Sequence, residues 1–296
     1  EVMWTGAGVA DMINQSDLDF FKTATNGMAP FIWLNYPVND YCIGHMLMGK
    51  FYGNDQGDNA FGAKMTAFTS NPMEYAEASK VALYGVADYA WNMKDYNPEA
   101  NWERAIKYLM PTNAEAYHVF CEHNVDLGTT VHGMRREAES PNFDAAATIE
   151  ARKAQYDKMV EAADALLADT YNPALITEIT PWLLKMKYMG QRGQKMVEMQ
   201  QALDDNKPDL FLQNYRDIAA IQAKEDSLIS RDFEGTIKSA RPVVASQKIE
   251  PFLKTKLNQL VLDYKSRYTE GWEVFPAQVL ESGNYYIKYN GKYLYD

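Results

Sequence analysis

The chain has 296 residues, enough for one large domain or two ordinary ones with ample apolar material for their cores. Its 40 acidic residues against 29 basic ones give a net charge of −11, which argues against nucleic acid as a partner. No stretch reaches the apolar length that a membrane span needs, and no secretory signal opens the chain.

The opening EVMWTG reads as a strand already in progress, so the sequence is expected to be an excerpt from something longer. Residues 2–4 form a short β-type run, broken by the small-residue loop Thr5-Gly6-Ala7-Gly8. With no Lys-Ser or Lys-Thr behind it, this loop is no P-loop. Ser16-Asp17-Leu18-Asp19 is expected to start a short helix running to about residue 23, with Ser16 as the cap and the acids suiting the helix N-terminus. Residues 30–34 are the second apolar run. The order strand, loop, helix, strand is the β–α–β unit of a parallel sheet.

The stretch FIWLNYPVND, residues 31–40, delivers an aromatic, an amide and a carboxylate from the end of a buried strand. A sugar site needs those parts, an aromatic for the C–H face of the ring and acceptors for its hydroxyls. The same stretch also reads as a core strand with a satisfied turn, and both readings stand at this point. The glycine-rich segment that follows (YGNDQGDN) is a long irregular loop, and loops of that kind are commonly functional. Its Asp55 and Asp58 match no EF-hand spacing and are read as solvated. Cys42 and Cys121 carry no metal or redox spacing and read as buried free thiols, so no metal and no cofactor is indicated.

Residues 65–69 form a further strand. Asn71-Pro72-Met73-Glu74 then reads as a helix start, with Asn71 as N-cap, Pro72 in the first turn and Glu74 closing a capping box. The helix is expected over 76–91. Asn71 follows an apolar strand directly, which puts it on the same rim as Asn35 and Asp40.

From Pro98 onward the character changes. Residues 99–110, 113–122, 144–169, 174–203, 209–229 and roughly 246–267 all place apolar residues at three- and four-residue spacing. Leu166, Leu183, Met186, Met189, Met196 and Met199 mark inward stripes, read as plain core. Successive long helices with short Asn/Pro/Gly breaks make a helical bundle. Between the two regions, His123 and His132 stand nine residues apart, which is no metal-ligand spacing. They read as structural, with Arg135 and Arg136 pairing with carboxylates. At the C-terminus two alternating runs flank Asn290-Gly291, a β-hairpin signal. The stretch GNYYIKYNGKYLYD is similar to the opening hairpin of ricin-type β-trefoil lectin modules.

Taken in order, MWTGxGV, WLNYPVND, NPMEYAEASK, YAWN, HNxDLG and HGxRRE, with a looser ITPW at Ile179–Trp182, resemble glycoside hydrolase family 84. These are the bacterial β-N-acetylglucosaminidases, also described as O-GlcNAcases or as hyaluronidase-like. The resemblance implies an α/β region followed by an all-α one: the C-terminal part of a (β/α)8 barrel over 1–125, a helical bundle over 126–275, and the start of a β domain over 276–296. It implies Trp33 as the aromatic floor of a sugar site, Asn35 beside it, Asp40 and Asn71 as groups binding hydroxyls, and Met134 at the rim near the leaving group. It also implies substrate-assisted hydrolysis of terminal N-acetylglucosaminides on glycans or glycoproteins, through an oxazoline, driven by two adjacent aspartates. In the family that pair lies upstream of the MWTG strand. The only Asp-Asp here, Asp204-Asp205, sits in a break between helices and is not assigned catalysis. No catalytic residue is therefore expected in this chain. A secreted or cell-surface bacterial protein, with association through the bundle, completes this reading. The alternative is a non-catalytic carbohydrate-binding or scaffold segment with a helical association domain.

Overall fold

The computed structural model describes residues 1–9, 13–53, 64–125, 142–229, 231–233, 237–268, 272–273, 288–289 and 292–293. The chain divides into two compact units: residues 1–141, 161–186 and 228–247 form one, and residues 142–160, 187–227 and 248–296 the other.

The first unit is built on a three-stranded parallel sheet of β1 (Met3–Trp4), β2 (Phe31–Leu34) and β3 (Ala67–Ser70), in that order. The period of two along β2 turns Ile32 and Leu34 into the core and leaves Trp33 on the opposite face. Helix α1 (Gln15–Ala24) and helix α2 (Ala76–Trp91) supply the apolar cover. Ile32, Leu34 and Tyr36 pack in one cluster with Leu18, Ala82, Val86 and Tyr89. Two expectations fail here. The cap of α1 is Asn14, not Ser16: its side chain accepts from the Asp17 N–H at 3.1 Å, and the Asp17 carboxylate accepts from the Asn14 N–H at 2.8 Å. Ser16 instead donates to the Asn14 side chain.

The second failure is more informative. Asn71 caps no helix, because α2 begins at Ala76 after Tyr75, which offers no side-chain cap. The N–H groups of Glu77 and Ala78, which have no partner within the helix, donate instead to the Glu178 carboxylate, at 3.2 and 2.7 Å. A carboxylate from a hundred residues away thus does the work expected of a local amide, and its charge suits the helix N-terminus. The same Asn-Pro signal holds elsewhere. Asn97 caps α3 (Pro98–Leu109), and Asn172 accepts from Leu175 at the start of α6 (Pro173–Asp204), each with Pro in the first turn.

Helix α4 (Ala114–Glu122) follows α3, and α5 (Ile149–Leu167) precedes α6. Trp182, fully buried, stands edge-on to Tyr75 with centroids 5.0 Å apart and donates to the Gly44 carbonyl at 2.8 Å. The ITPW motif therefore packs within the sheet-bearing unit. Between the helices expected over 209–229 and 246–267, where sequence reading assigned no element, lie β4 (Arg231–Phe233) and β5 (Ile237–Ala240), an antiparallel pair.

The second unit holds α7 (Pro208–Asp226) and α8 (Ile249–Tyr268) with parts of α5 and α6. Gly190 and Gly193 let α6 approach Tyr156 of α5: a Cβ at Gly193 would stand 2.4 Å from the tyrosine ring. Arg192, 3% exposed, lies between Glu225 at 2.8 Å and Glu250 at 2.5 Å. Phe211 stacks on Tyr264 at 4.5 Å. The Asp204-Asp205 pair is exposed at the end of α6, where Lys207 pairs with Asp205 at 2.8 Å and left-handed Asn206 closes the helix. Three two-residue strands, β6 (Trp272–Glu273), β7 (Lys288–Tyr289) and β8 (Lys292–Tyr293), pair antiparallel. The expected turn at Asn290-Gly291 lies outside the described residues. Among the described residues no helix is long and apolar enough to cross a membrane.

Gly193→Ala is expected to destabilise the bundle by about 1–3 kcal/mol, because overpacking against Tyr156 outweighs the roughly 1 kcal/mol helix-propensity gain. Urea unfolding measures it, and a stabilised variant would contradict the close approach. A second expectation concerns His118, which lies 3.5 Å from Glu122 and 3.1 Å from Glu103, with its ring edge-on to Trp102. The Glu122 hydrogen bond raises its pKa, partial burial and Lys50 oppose the rise, and Glu103 adds to it. Since the folded value is raised, the stabilisation is fully present below the unfolded value of 6.5 and is lost as pH rises through the folded one. His118→Gln should thus cost stability at mildly acidic pH and little at alkaline pH; equal losses at both would refute the ion pair.

Candidate functional site

The parallel register pairs Leu34 with Ser70, the last residues of β2 and β3. The next residue on each strand is an asparagine, so Asn35 and Asn71 emerge side by side at the carboxyl ends of adjacent strands. In parallel α/β sheets that end is where ligands bind. The backbone fixes the pair further. The Asn71 N–H donates to the Leu34 carbonyl at 2.8 Å, and the Val38 N–H donates to the Asn71 carbonyl at 3.0 Å. The Ser70 hydroxyl donates to the Tyr36 carbonyl as well. The Tyr36–Pro37 peptide is cis.

The side chains are tied together too. Trp33 Nε1 donates to Asn35 Oδ1 at 2.8 Å, and Asn71 Nδ2 donates to the same oxygen at 3.1 Å. Asn35 Nδ2 donates to the carbonyl of Val9, on the loop that follows β1. Trp33 is 37% exposed, so part of its surface remains open to solvent beside two amides. An aromatic face with fixed amides suits a neutral polyhydroxylated ring: the face takes C–H groups and the amides take hydroxyls.

Of the four residues expected to form the site, the structure thus joins Trp33, Asn35 and Asn71 in one hydrogen-bonded cluster. Asp40 is exposed on the loop beyond, and the described hydrogen bonds do not link it to the three. Met134, His132 and the Arg135-Arg136 pair lie outside the described residues, as do Asp55 and Asp58. His123 is buried against the Val119 carbonyl at 2.7 Å, and burial lowers its pKa. Among the described residues, no group of three or more His, Cys, Asp or Glu side chains could hold a metal ion.

Two supports of the site escaped the sequence reading. Val9 contributes only a backbone carbonyl, which no side-chain pattern announces. Asn39 is buried at 1% exposure and donates to the His45 carbonyl at 2.7 Å, fixing the loop that carries Asp40. Its only signal was an amide neighbouring the acid. Asn39→Ala should cost about 0.5–1.5 kcal/mol by removing this buried hydrogen bond, read by urea unfolding. A variant as stable as the parent would mean that other contacts hold the loop.

With the geometry in place, comparison with known proteins assigns the chain. Residues 1–122 match a family model described as NAGidase, beta-N-acetylglucosaminidase, and residues 138–256 match that of the bacterial GH84 post-catalytic domain. Among similar solved structures, CpGH84B is 23% identical over 86% of this chain and 44% of its own, with a TM-score of 0.70. CpGH84D is 23% identical over 89% of this chain and 45% of its own, with a TM-score of 0.74. An aspartate-to-asparagine mutant of the Thermobaculum terrenum O-GlcNAc hydrolase is 20% identical over 90% and 56%, with a TM-score of 0.72. The chain spans about half the length of these structures, and at such identities the likeness is one of fold. The two family models follow one another in the order of a sheet-bearing region and a post-catalytic helical one, and the chain belongs to glycoside hydrolase family 84.

Proposed function

We propose that this chain is part of a retaining β-N-acetylglucosaminidase that cleaves terminal N-acetylglucosaminides by substrate assistance. The observation that carries the reading is the cluster of Trp33, Asn35 and Asn71 at the carboxyl ends of two adjacent parallel strands. The parallel strands with α1 and α2 would be the C-terminal part of a (β/α)8 barrel over 1–125. The bundle would take 126–275, and 276–296 would begin a β domain. Trp33 would form the floor of the sugar site. Asp40 would bind hydroxyls from its exposed loop and Asn71 would bind them from the rim, with Met134 near the leaving group.

In substrate assistance the acetamide oxygen of the sugar attacks the anomeric carbon as the glycosidic bond breaks, giving an oxazoline that water then opens. One carboxylate holds and polarises the acetamide N–H, and a second protonates the leaving oxygen before activating the water. Two adjacent carboxyls have their pKa values driven apart, one staying anionic and the other holding a proton. The exposed Asp204-Asp205 pair, one member ion-paired with Lys207 at a helix end, suits neither role. In this reading, which rests on the family resemblance, the catalytic pair lies upstream of Glu1; the chain spans about half the length of the similar structures. The name of the Thermobaculum protein, an O-GlcNAc hydrolase, points to O-GlcNAc as one substrate class. A secreted or cell-surface location, and association through the bundle, belong to the same reading.

The test compares two proteins on an aryl β-N-acetylglucosaminide. The 296-residue chain should show no hydrolysis, and a protein extended upstream should be active. In the extended protein, Asp40→Ala should lower kcat/KM by about tenfold to a hundredfold, as expected for a lost charge-assisted hydrogen bond. Hydrolysis by the chain alone would place the acids within it, and an unchanged kcat/KM would remove Asp40 from the site.

A further inference from the structure

We infer that Asn35 is a positioning residue that sets Asn71 to present its carbonyl oxygen to a sugar hydroxyl. The inference rests on the sugar-binding reading above and on hydrogen-bond polarity. An indole N–H can only donate, so the Asn35 atom 2.8 Å from Trp33 Nε1 must be the carbonyl oxygen. That settles an amide orientation which heavy-atom positions alone leave open. The Val9 carbonyl can only accept, and it faces the other terminal atom of Asn35, which must be the nitrogen. The two constraints come from β2 and from the loop after β1, and they agree.

The polarity then passes on to Asn71. Its terminal atom 3.1 Å from Asn35 Oδ1 meets an oxygen already bonded to the indole, so it must be the donating nitrogen. The carbonyl oxygen of Asn71 is left as the acceptor at the rim. Among the described residues nothing donates to it. Both acceptor sites of Asn35 Oδ1 are taken and one of its two N–H groups is used, so its orientation is fixed from both ends. The chain of dependence runs from Val9 through Asn35 to both Trp33 and Asn71. It holds the aromatic plane and the acceptor in a fixed relation before any sugar arrives, and such preorganisation removes part of the ordering cost of binding. The hydroxyl at that place is predicted to act as donor.

The experiment uses two substitutions at position 35 and two readouts. Asn35→Leu removes the shared acceptor, while Asn35→Asp keeps an acceptor for both Trp33 and Asn71 and replaces the donation to Val9 by an oxygen facing its carbonyl. In 15N spectra of the chain, the Trp33 indole N–H and the Asn71 side-chain amide signals should shift in Asn35→Leu and stay near the parent positions in Asn35→Asp. In the upstream-extended enzyme, Asn35→Leu should raise KM about tenfold with a smaller change in kcat, and Asn35→Asp should recover most of that loss. Unmoved indole and amide signals in Asn35→Leu, or an Asn35→Asp enzyme as poor as Asn35→Leu, would overturn the inference. Trp33→Leu and Asn71→Leu separate the two claims. If both leave KM unchanged, the sugar-site reading falls; if both raise it while Asn35→Asp gives no rescue, only the positioning role falls.

Discussion

The site depends on the register of β2 against β3. Parallel pairing of Leu34 with Ser70 brings Asn35 and Asn71 out as neighbours, and backbone hydrogen bonds from Asn71 to Leu34 and from Val38 to Asn71 extend that pairing past the strands. A slip of one residue would turn Trp33 into the core and Leu34 out of it. The apolar pattern forbids this, because Ile32 and Leu34 are buried under α1 and α2 while Trp33, on the other face, is 37% exposed. The hydrophobic core and the polar cluster are therefore set by the same two strands, the core by one face and the cluster by their ends.

Much of this was legible in sequence for physical reasons. Trp33, Asn35 and Asn71 each stand at or just beyond the end of an apolar run, and their shared rim follows from a parallel sheet. The helical spans were legible because α5, α6, α7 and α8 repeat their apolar residues with the helical period over many turns. The failures are as instructive. Asn71-Pro72 carries the sequence of a cap without being one, because Glu178 brings a charged acceptor to the start of α2 and Asn71 bonds to Asn35. Local propensity describes what a residue can do alone, and a stronger partner arriving from far along the chain displaces it. The β4–β5 pair and the Val9 carbonyl were not legible at all, the first being too short for a pattern and the second having no side-chain signature.

In the helical unit the guiding constraint is close packing rather than polarity. Gly190 and Gly193 open one face of α6 to Tyr156, and the stripe of Met and Leu residues fills the rest. The ionic group of Arg192, Glu225 and Glu250 is the exception. Burial alone would lower the arginine's pKa, and the two carboxylates more than reverse that, so the guanidinium stays charged. Such a group adds little net stability, but losing one member would leave a charge buried without its counterpart. The network ties α6, α7 and α8 at one level of the bundle.

The central claim is that the carboxyl ends of β2 and β3 hold an N-acetylglucosamine ring. A crystal structure of the upstream-extended protein with N-acetylglucosamine bound tests it most directly. The account predicts a sugar ring lying on the exposed face of Trp33, with a hydroxyl within hydrogen-bond distance of Asn71 Oδ1 and the Asn35 amide still bonded to Trp33, Asn71 and Val9. A sugar bound elsewhere, or one that displaces the Trp33–Asn35 hydrogen bond, would contradict it.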